Sequence, residues 1–209
     1  MHAIVTGTTR GIGKAVTEEL DSRNHKWTGI SYSTGVDITQ YEVVKDIFSY
    51  IAGADPPVDV LINNAGIVEL GSVLELSPES WKKQFAVNLH GVFYCCKEFV
   101  RIAKNRGGKI INISSTSGVF TPRPGRSAYA ASKAAVISFS LSLAEELRPY
   151  GIRVYCIAPG ACNTDLRRKI YPDDDFEHMM QPLELARFIV DVAEKGDMLD
   201  NQIIYARGI

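Results

Sequence analysis

Long apolar runs are missing from this sequence. None reaches the ~18 consecutive residues of a membrane-spanning helix, and the opening "MHAIVTG" passes into a strand pattern without the charged prelude of a secretory signal. Cysteine is scarce. Cys95, Cys96, Cys156 and Cys162 lack metal-ligand spacing, and their small number suits thiols packed as small hydrophobes in a reducing compartment. Net charge is scarce too: a formal −1, with no basic run, offers no electrostatic footprint for nucleic acid. These absences argue for a cytoplasmic protein that binds no membrane, no nucleic acid and no metal.

What is present is ordinary globular composition, 45% hydrophobic and 22% charged. A chain of 209 residues reads as one dinucleotide-binding and catalytic domain spanning 1–209, able to bury roughly 70% of its unfolded surface. Short apolar runs at 2–6, 27–32, 58–63, 109–114, 152–158 and 202–206 alternate with helical patterns at about 11–23, 40–52, 78–106, 127–149 and 182–195. Near-continuous apolarity suits strands covered on both faces, so the alternation predicts a doubly wound α/β sheet of Rossmann type. Ser77-Pro78 opens the third helix with a cap and a first-turn proline, Gly107-Gly108 closes it, and Pro149 and Gly151 end the next. After the second strand, "STGVDITQ" leaves no room for a crossover helix, so 36–38 is at most an extended edge segment. Six principal parallel strands in the order 2-1-3-4-5-6 follow, with a ligand crevice where the order reverses beside the first.

Four stretches put chemistry at that crevice. "TGTTRGIG" (6–13) follows the first strand and opens the first helix; Gly7, Gly11 and Gly13 allow a tight turn, close approach of a pyrophosphate and close helix packing. "NNAG" (63–66) and "INISSTSG" (111–118) end strands at the same sheet edge, although Asn63 or Asn64 can equally cap a turn and the hydroxyls can cap a loop. "SAYAASKAAVISF" (127–139) sets Tyr129 and Lys133 four apart, on one helical face, where a phenol and an ammonium can share a pocket or simply pack and snorkel. The plain reading needs four separate coincidences at one sheet edge.

The ordered set "TGTTRGIG", "NNAG", Asn88 in "FAVNLHG", "INISSTSG", "YAASK" and "APGACNTD" resembles the short-chain dehydrogenase/reductase family along nearly the whole chain. The resemblance implies a nicotinamide cofactor and a catalytic set of Asn88, Ser115, Tyr129 and Lys133. Ser115 is chosen over Ser114 because it lies three positions before the glycine of "STSG"; it precedes Tyr129 by 14 residues, slightly more than the family's usual interval. Cofactor contacts fall on Gly7, Gly11, Ile12, Gly13, Asn64, Ala65, Gly66, Pro159, Gly160 and Thr164, with Thr9, Ser31, Ile38, Tyr129 and Lys133 counted in the same set. Asp37 resembles the acid that meets the adenine amino group. The chain departs from the family after its second strand and in the short polar segment 165–181, which suggests a mobile lid more than a deep apolar pocket.

The expected reaction interconverts a carbonyl and an alcohol by hydride transfer, with Tyr129 as acid or base and Ser115 holding the carbonyl oxygen. A free phenol titrates near ~10, and one cation such as Lys133 lowers that by about 1–3 units. The resemblance adds a water held near Asn88 that links Lys133 to solvent. NADP(H) is the preferred cofactor, NAD(H) the second choice: the second strand ends in "GISYST" without a carboxylate to repel a 2′-phosphate, and Arg10 can bind that phosphate. Epimerases and dehydratases of the family's extended relatives also use Tyr and Lys but carry a further substrate domain for which this chain is too short; a dinucleotide-binding redox sensor or scaffold without turnover is the alternative from another class. The apolar circumferences of 78–106 and 127–149 suggest a homodimer or homotetramer.

Overall fold

The apolar runs become strands buried on both faces, and successive residues of each strand feed two different helical layers. The computed structural model describes residues 1–196, 199 and 203–207. Its strands are β1 (His2–Thr6), β2 (Lys26–Ile30), β3 (Val60–Asn63), β4 (Gly108–Ile113), β5 (Ile152–Pro159) and β6 (Ile203–Ala206); residue 202, expected in the last strand, lies outside the described residues. They form one parallel sheet in the order β2-β1-β3-β4-β5-β6, with Val5 opposite Gly29, Ile4 opposite Leu61, and Ile111 opposite Tyr155. Fold class and strand order are therefore as expected.

On one face, α1 (Gly11–Ser22) and α7 (Pro182–Lys195) cover Val5, Ile62, Ile111 and Ile157 with Val16, Leu20, Leu185 and Ile189. On the other, α2 (Tyr41–Ile51), α4 (Gly91–Ala103) and α5 (Ser127–Leu147) cover Ile4, Leu61, Ile110 and Val154 with Phe48, Phe99 and Leu143. No described helix is long and apolar enough to cross a membrane.

The expected single helix over 78–106 is corrected to three pieces. α3 (Pro78–Phe85) starts as read, with the Ser77 hydroxyl accepting from the Ser80 amide at 3.1 Å. A π turn (Ala86–His90) then widens the ladder, so that the Gly91 amide bonds the Ala86 carbonyl five residues back, before α4 continues. Buried Asn88 needs partners outside its own helix, and a single-turn π bulge turns its amide toward them. The chain leaves α4 at Ala103, earlier than expected, and reverses at Gly107 with φ +79°.

Two other segments depart from simple loops. After β2 a short 3₁₀ turn (Tyr32–Thr34) leads to Ile38, whose side chain enters the core; a Cβ on Gly91 would meet it at 2.7 Å. Residues 165–181 carry a short helix, α6 (Asp165–Ile170), capped by the Thr164 hydroxyl, and are fastened by the Cys162–Met180 bridge and the Arg167–Asp174 ion pair.

Candidate active site

The carboxyl ends of β1, β3, β4 and β5 open into one cleft of about 1350 Å³. Its floor begins with the glycine turn. Gly7 takes φ +73° and donates to the Ile30 carbonyl at 2.8 Å, while the Thr6 hydroxyl accepts from the Asn64 and Ala65 amides at 3.0 Å each. The Asn64 side chain returns two bonds, to the carbonyls of Thr6 at 3.0 Å and Gly7 at 3.1 Å. A Cβ on Gly13 would stand 2.0 Å from the Gly7 carbonyl, so Gly13 lies beneath the turn and lets α1 close on it, outside the cleft lining. The first turn of α1 has no acidic residue and no side-chain cap, which leaves its amides and the positive helix end for an anion. A dinucleotide pyrophosphate fits this donor set. Thr164 lies close beside Gly11, where a Cβ would meet its methyl at 3.5 Å, and Ile12, Ala65, Gly66, Pro159 and Gly160 line the same space.

At the β2 end, Thr9 and Arg10 are exposed at the cleft mouth. The buried Ser31 hydroxyl accepts from the Thr8 amide at 2.8 Å and so braces the glycine turn. Asp37 accepts from both the amide and the hydroxyl of Thr39, at 2.9 and 2.8 Å. Asp37 and Ile38 both border the cleft, Ile38 with its side chain turned into the core.

The four residues of the expected catalytic set gather where β3, β4 and α5 meet. Ser114 and Ser115 both border the cleft but differ in what their hydroxyls do: the buried Ser114 hydroxyl donates to the Lys133 carbonyl at 2.7 Å, whereas the half-buried Ser115 hydroxyl, bonded with Tyr129, caps the 3₁₀ turn Thr116–Gly118. Burial pushes the Tyr129 phenol above its ordinary pKa, opposed by a hydrogen bond with Ser115 and the charge of Arg126. Lys133 is 4% exposed, its Nζ donates to the Ile113 carbonyl at 2.8 Å, and it sits 6.0 Å from the Tyr129 ring centre. Asn88 is fully buried behind the cleft wall. Its Oδ1 accepts from the Ile67 amide at 2.8 Å, and its Nδ2 donates to the Ile67 carbonyl at 2.9 Å and the Ser132 hydroxyl at 3.0 Å. Gly66 lies between them: a Cβ there would stand 3.3 Å from Asn88 Oδ1 and 3.4 Å from Lys133 Nζ.

Sequence reasoning missed Arg126 and Tyr171. Arg126 precedes Tyr129 by three positions, a helical near-neighbour spacing that was there to be read. Its Nε donates to the Tyr171 hydroxyl at 2.6 Å and its Nη1 to the Ser117 hydroxyl at 3.1 Å. Tyr171, just after α6, gave no signal because its meeting with the cleft depends on how 165–181 folds back.

Comparison with known proteins agrees with this geometry. A family model described as short chain dehydrogenase matches residues 1–175. The chain is 35% identical over 182 residues, 78% of its own length and 75% of the relative's, to the 3-oxoacyl-(acyl-carrier-protein) reductase of Haemophilus influenzae. A short-chain type dehydrogenase/reductase from Mycobacterium marinum superposes with a TM-score of 0.90 at 26% identity, covering 100% of this chain and 94% of that one. A protein called ElxO, solved with NADP bound, gives 0.88 at 25% identity over 98% and 96%.

Lys133 has a measurable signature. Burial lowers its pKa to about 8, whereas an unfolded lysine holds its proton to ~10.4. Between those values the unfolded chain binds the extra proton, so this residue makes stability rise with pH across that window. Thermal unfolding of the wild type and Lys133→Met from pH 7 to 10 checks this. The wild type gains on the variant as pH climbs through 8; a difference that stays flat means an ammonium that is not desolvated.

Proposed function

The chain belongs to the short-chain dehydrogenase/reductase family and is an NAD(P)-dependent oxidoreductase, and we propose that it interconverts a small-molecule carbonyl and its alcohol with Tyr129 as acid and base. One observation carries the reading: the half-buried Tyr129 phenol stands beside the Ser115 hydroxyl on the wall of the dinucleotide-sized cleft, one helical turn from the buried Lys133.

The glycine turn at the start of α1, with Ala65, Gly66, Pro159 and Gly160, would hold a nicotinamide cofactor, which would supply a hydride to the carbonyl carbon. The chain's own residues do the rest. The Ser115 hydroxyl donates to the carbonyl oxygen, where negative charge grows as the carbonyl is reduced. The Tyr129 hydroxyl gives its proton to the same oxygen; in the reverse direction it takes the proton back. Lys133 lies one helical turn further on, and its positive charge favours the phenolate left behind. Asn88 reaches no reacting atom; it positions Ile67 and, through Ser132, the backbone of Tyr129, to whose carbonyl Ser132 donates at 2.8 Å. The alternative of a dinucleotide sensor without turnover leaves a protonated phenol beside a second hydroxyl without a purpose.

NADP(H) is the preferred cofactor and NAD(H) the weaker one. No carboxylate stands at the end of β2, and the exposed Arg10 guanidinium bordering the cleft supports binding of a 2′-phosphate. ElxO, with NADP bound, and the reductase relative support nucleotide and reaction class. A second copy of the chain covers the exposed Phe93 and Leu141 on α4 and α5 in a homodimer or homotetramer, a state that light scattering reads directly. The reducing compartment inferred from the cysteines is the cytoplasm.

Tyr129→Phe removes the proton donor and little packing, so turnover falls at least ~100-fold with cofactor affinity nearly unchanged. Stopped-flow kinetics and nucleotide titration read the two quantities; near-normal turnover removes Tyr129 from the mechanism. Arg10→Ala costs about 1.5–3 kcal/mol of NADPH binding and little of NADH binding. Specificity constants for both cofactors decide it, and equal losses contradict the assignment.

A further inference from the structure

At the substrate end of the cleft, three guanidinium groups converge on one tyrosine ring. The central carbons of Arg167, Arg126 and Arg123 lie 4.5, 4.6 and 5.5 Å from the centre of Tyr171. Only one of the three is neutralised: Arg167 pairs with Asp174. Among the described residues, no carboxylate lies within ion-pairing distance of Arg126 or Arg123. Asp175, which also borders the cleft, is engaged by His178 at 2.7 Å.

Arg126 is the better placed of the two. A guanidinium has five N–H donors in a fixed fork; here the bonds to Tyr171 and Ser117 orient it and engage two of them, both with neutral hydroxyls. A half-buried cation without a counter-charge is costly, and an oxyanion binding it recovers that cost through charge-assisted, forked hydrogen bonds. Arg126 is the N-cap residue of α5, its carbonyl accepting from the Ala130 amide at 2.8 Å, which holds it next to the first turn that carries Tyr129, and its charge is felt at the Tyr129 hydroxyl.

We propose that the substrate is a short carbonyl compound bearing an oxyanion, its carbonyl between Ser115 and Tyr129 and its carboxylate or phosphate bound by Arg126 and Arg123. The anion lies within a few bonds of the carbonyl, because Arg126, at the N-cap of α5, stands next to the helical turn that carries Tyr129. This rests on the carbonyl-reducing reading above and names the substrate class for the same site. The cluster is separate from Arg10, which serves the cofactor at the other end of the cleft.

The full chain is assayed with NADPH against short 2-oxo and 3-oxo acids and the methyl esters of the same skeletons. Dihydroxyacetone phosphate and dihydroxyacetone form the phosphate arm. The anions are used at least ~10-fold better than their neutral partners, in whichever arm matches the true group. Arg126→Gln and Arg123→Gln raise KM for the anion at least ~10-fold while KM for the neutral partner moves less than ~2-fold. Malonate and inorganic phosphate, titrated calorimetrically without turnover, bind the wild type and bind Arg126→Gln at least ~10-fold more weakly, a readout that survives loss of catalysis. Esters used as well as acids, equal KM changes for charged and neutral substrates, or no binding of either anion to the wild type overturn the proposal. Anion binding that depends on Arg126 without turnover of any carbonyl refutes the reductase reading and leaves the oxyanion site standing.

Discussion

A single buried amide holds this site together. Asn88 grips both backbone groups of Ile67, and through Ser132 it reaches the carbonyl of Tyr129. The loop after β3 and the helix that carries Tyr129 and Lys133 are thereby tied to one point. The π turn pays for this with a disrupted helical ladder, a distortion frequent at functional sites. Because Asn88 is fully buried with all these bonds made, removing it would strand polar partners in a dry interior.

The same low dielectric that makes Asn88 expensive to lose sets the protonation states around it. Burial raises the Tyr129 phenol and lowers the Lys133 ammonium, so each group leans toward its neutral form. Lys133 does not rest against the phenol hydroxyl but donates to the Ile113 carbonyl. The influences that pull the phenol back are a hydrogen bond with Ser115 and the charge of Arg126. Recognition of an anionic substrate and tuning of the acid thus share a residue.

The architecture was legible because it rests on local signals. Continuous apolar runs gave the six strands, and the absence of room for a crossover after "STGVDITQ" gave the strand order. The glycine turn, the strand-end asparagine and the Tyr–Lys spacing could be read because each depends on residues close in sequence. Ile38 turned inward, since hydrophobic packing against Gly91 outweighs proximity to the cleft. The break of the long helix was not visible, because nothing in "FAVNLHG" betrays that its asparagine must bond a residue 21 positions earlier. Arg126 was overlooked for the opposite reason. Its near neighbour Tyr129 was in view, but its partner Tyr171 lies 45 positions away, on a segment whose path the sequence does not specify.

In the proposed reaction a hydride reaches a carbonyl held beside Tyr129 and Ser115. Deuterium placed at C4 of the reduced nicotinamide of NADPH follows that atom, with a mixture of short oxo acids as acceptors and the products read by nuclear magnetic resonance. Deuterium is expected on the new carbinol carbon, from one face of the nicotinamide only and with no exchange into solvent. Deuterium that stays on the cofactor, or a carbinol hydrogen drawn from water, would contradict it.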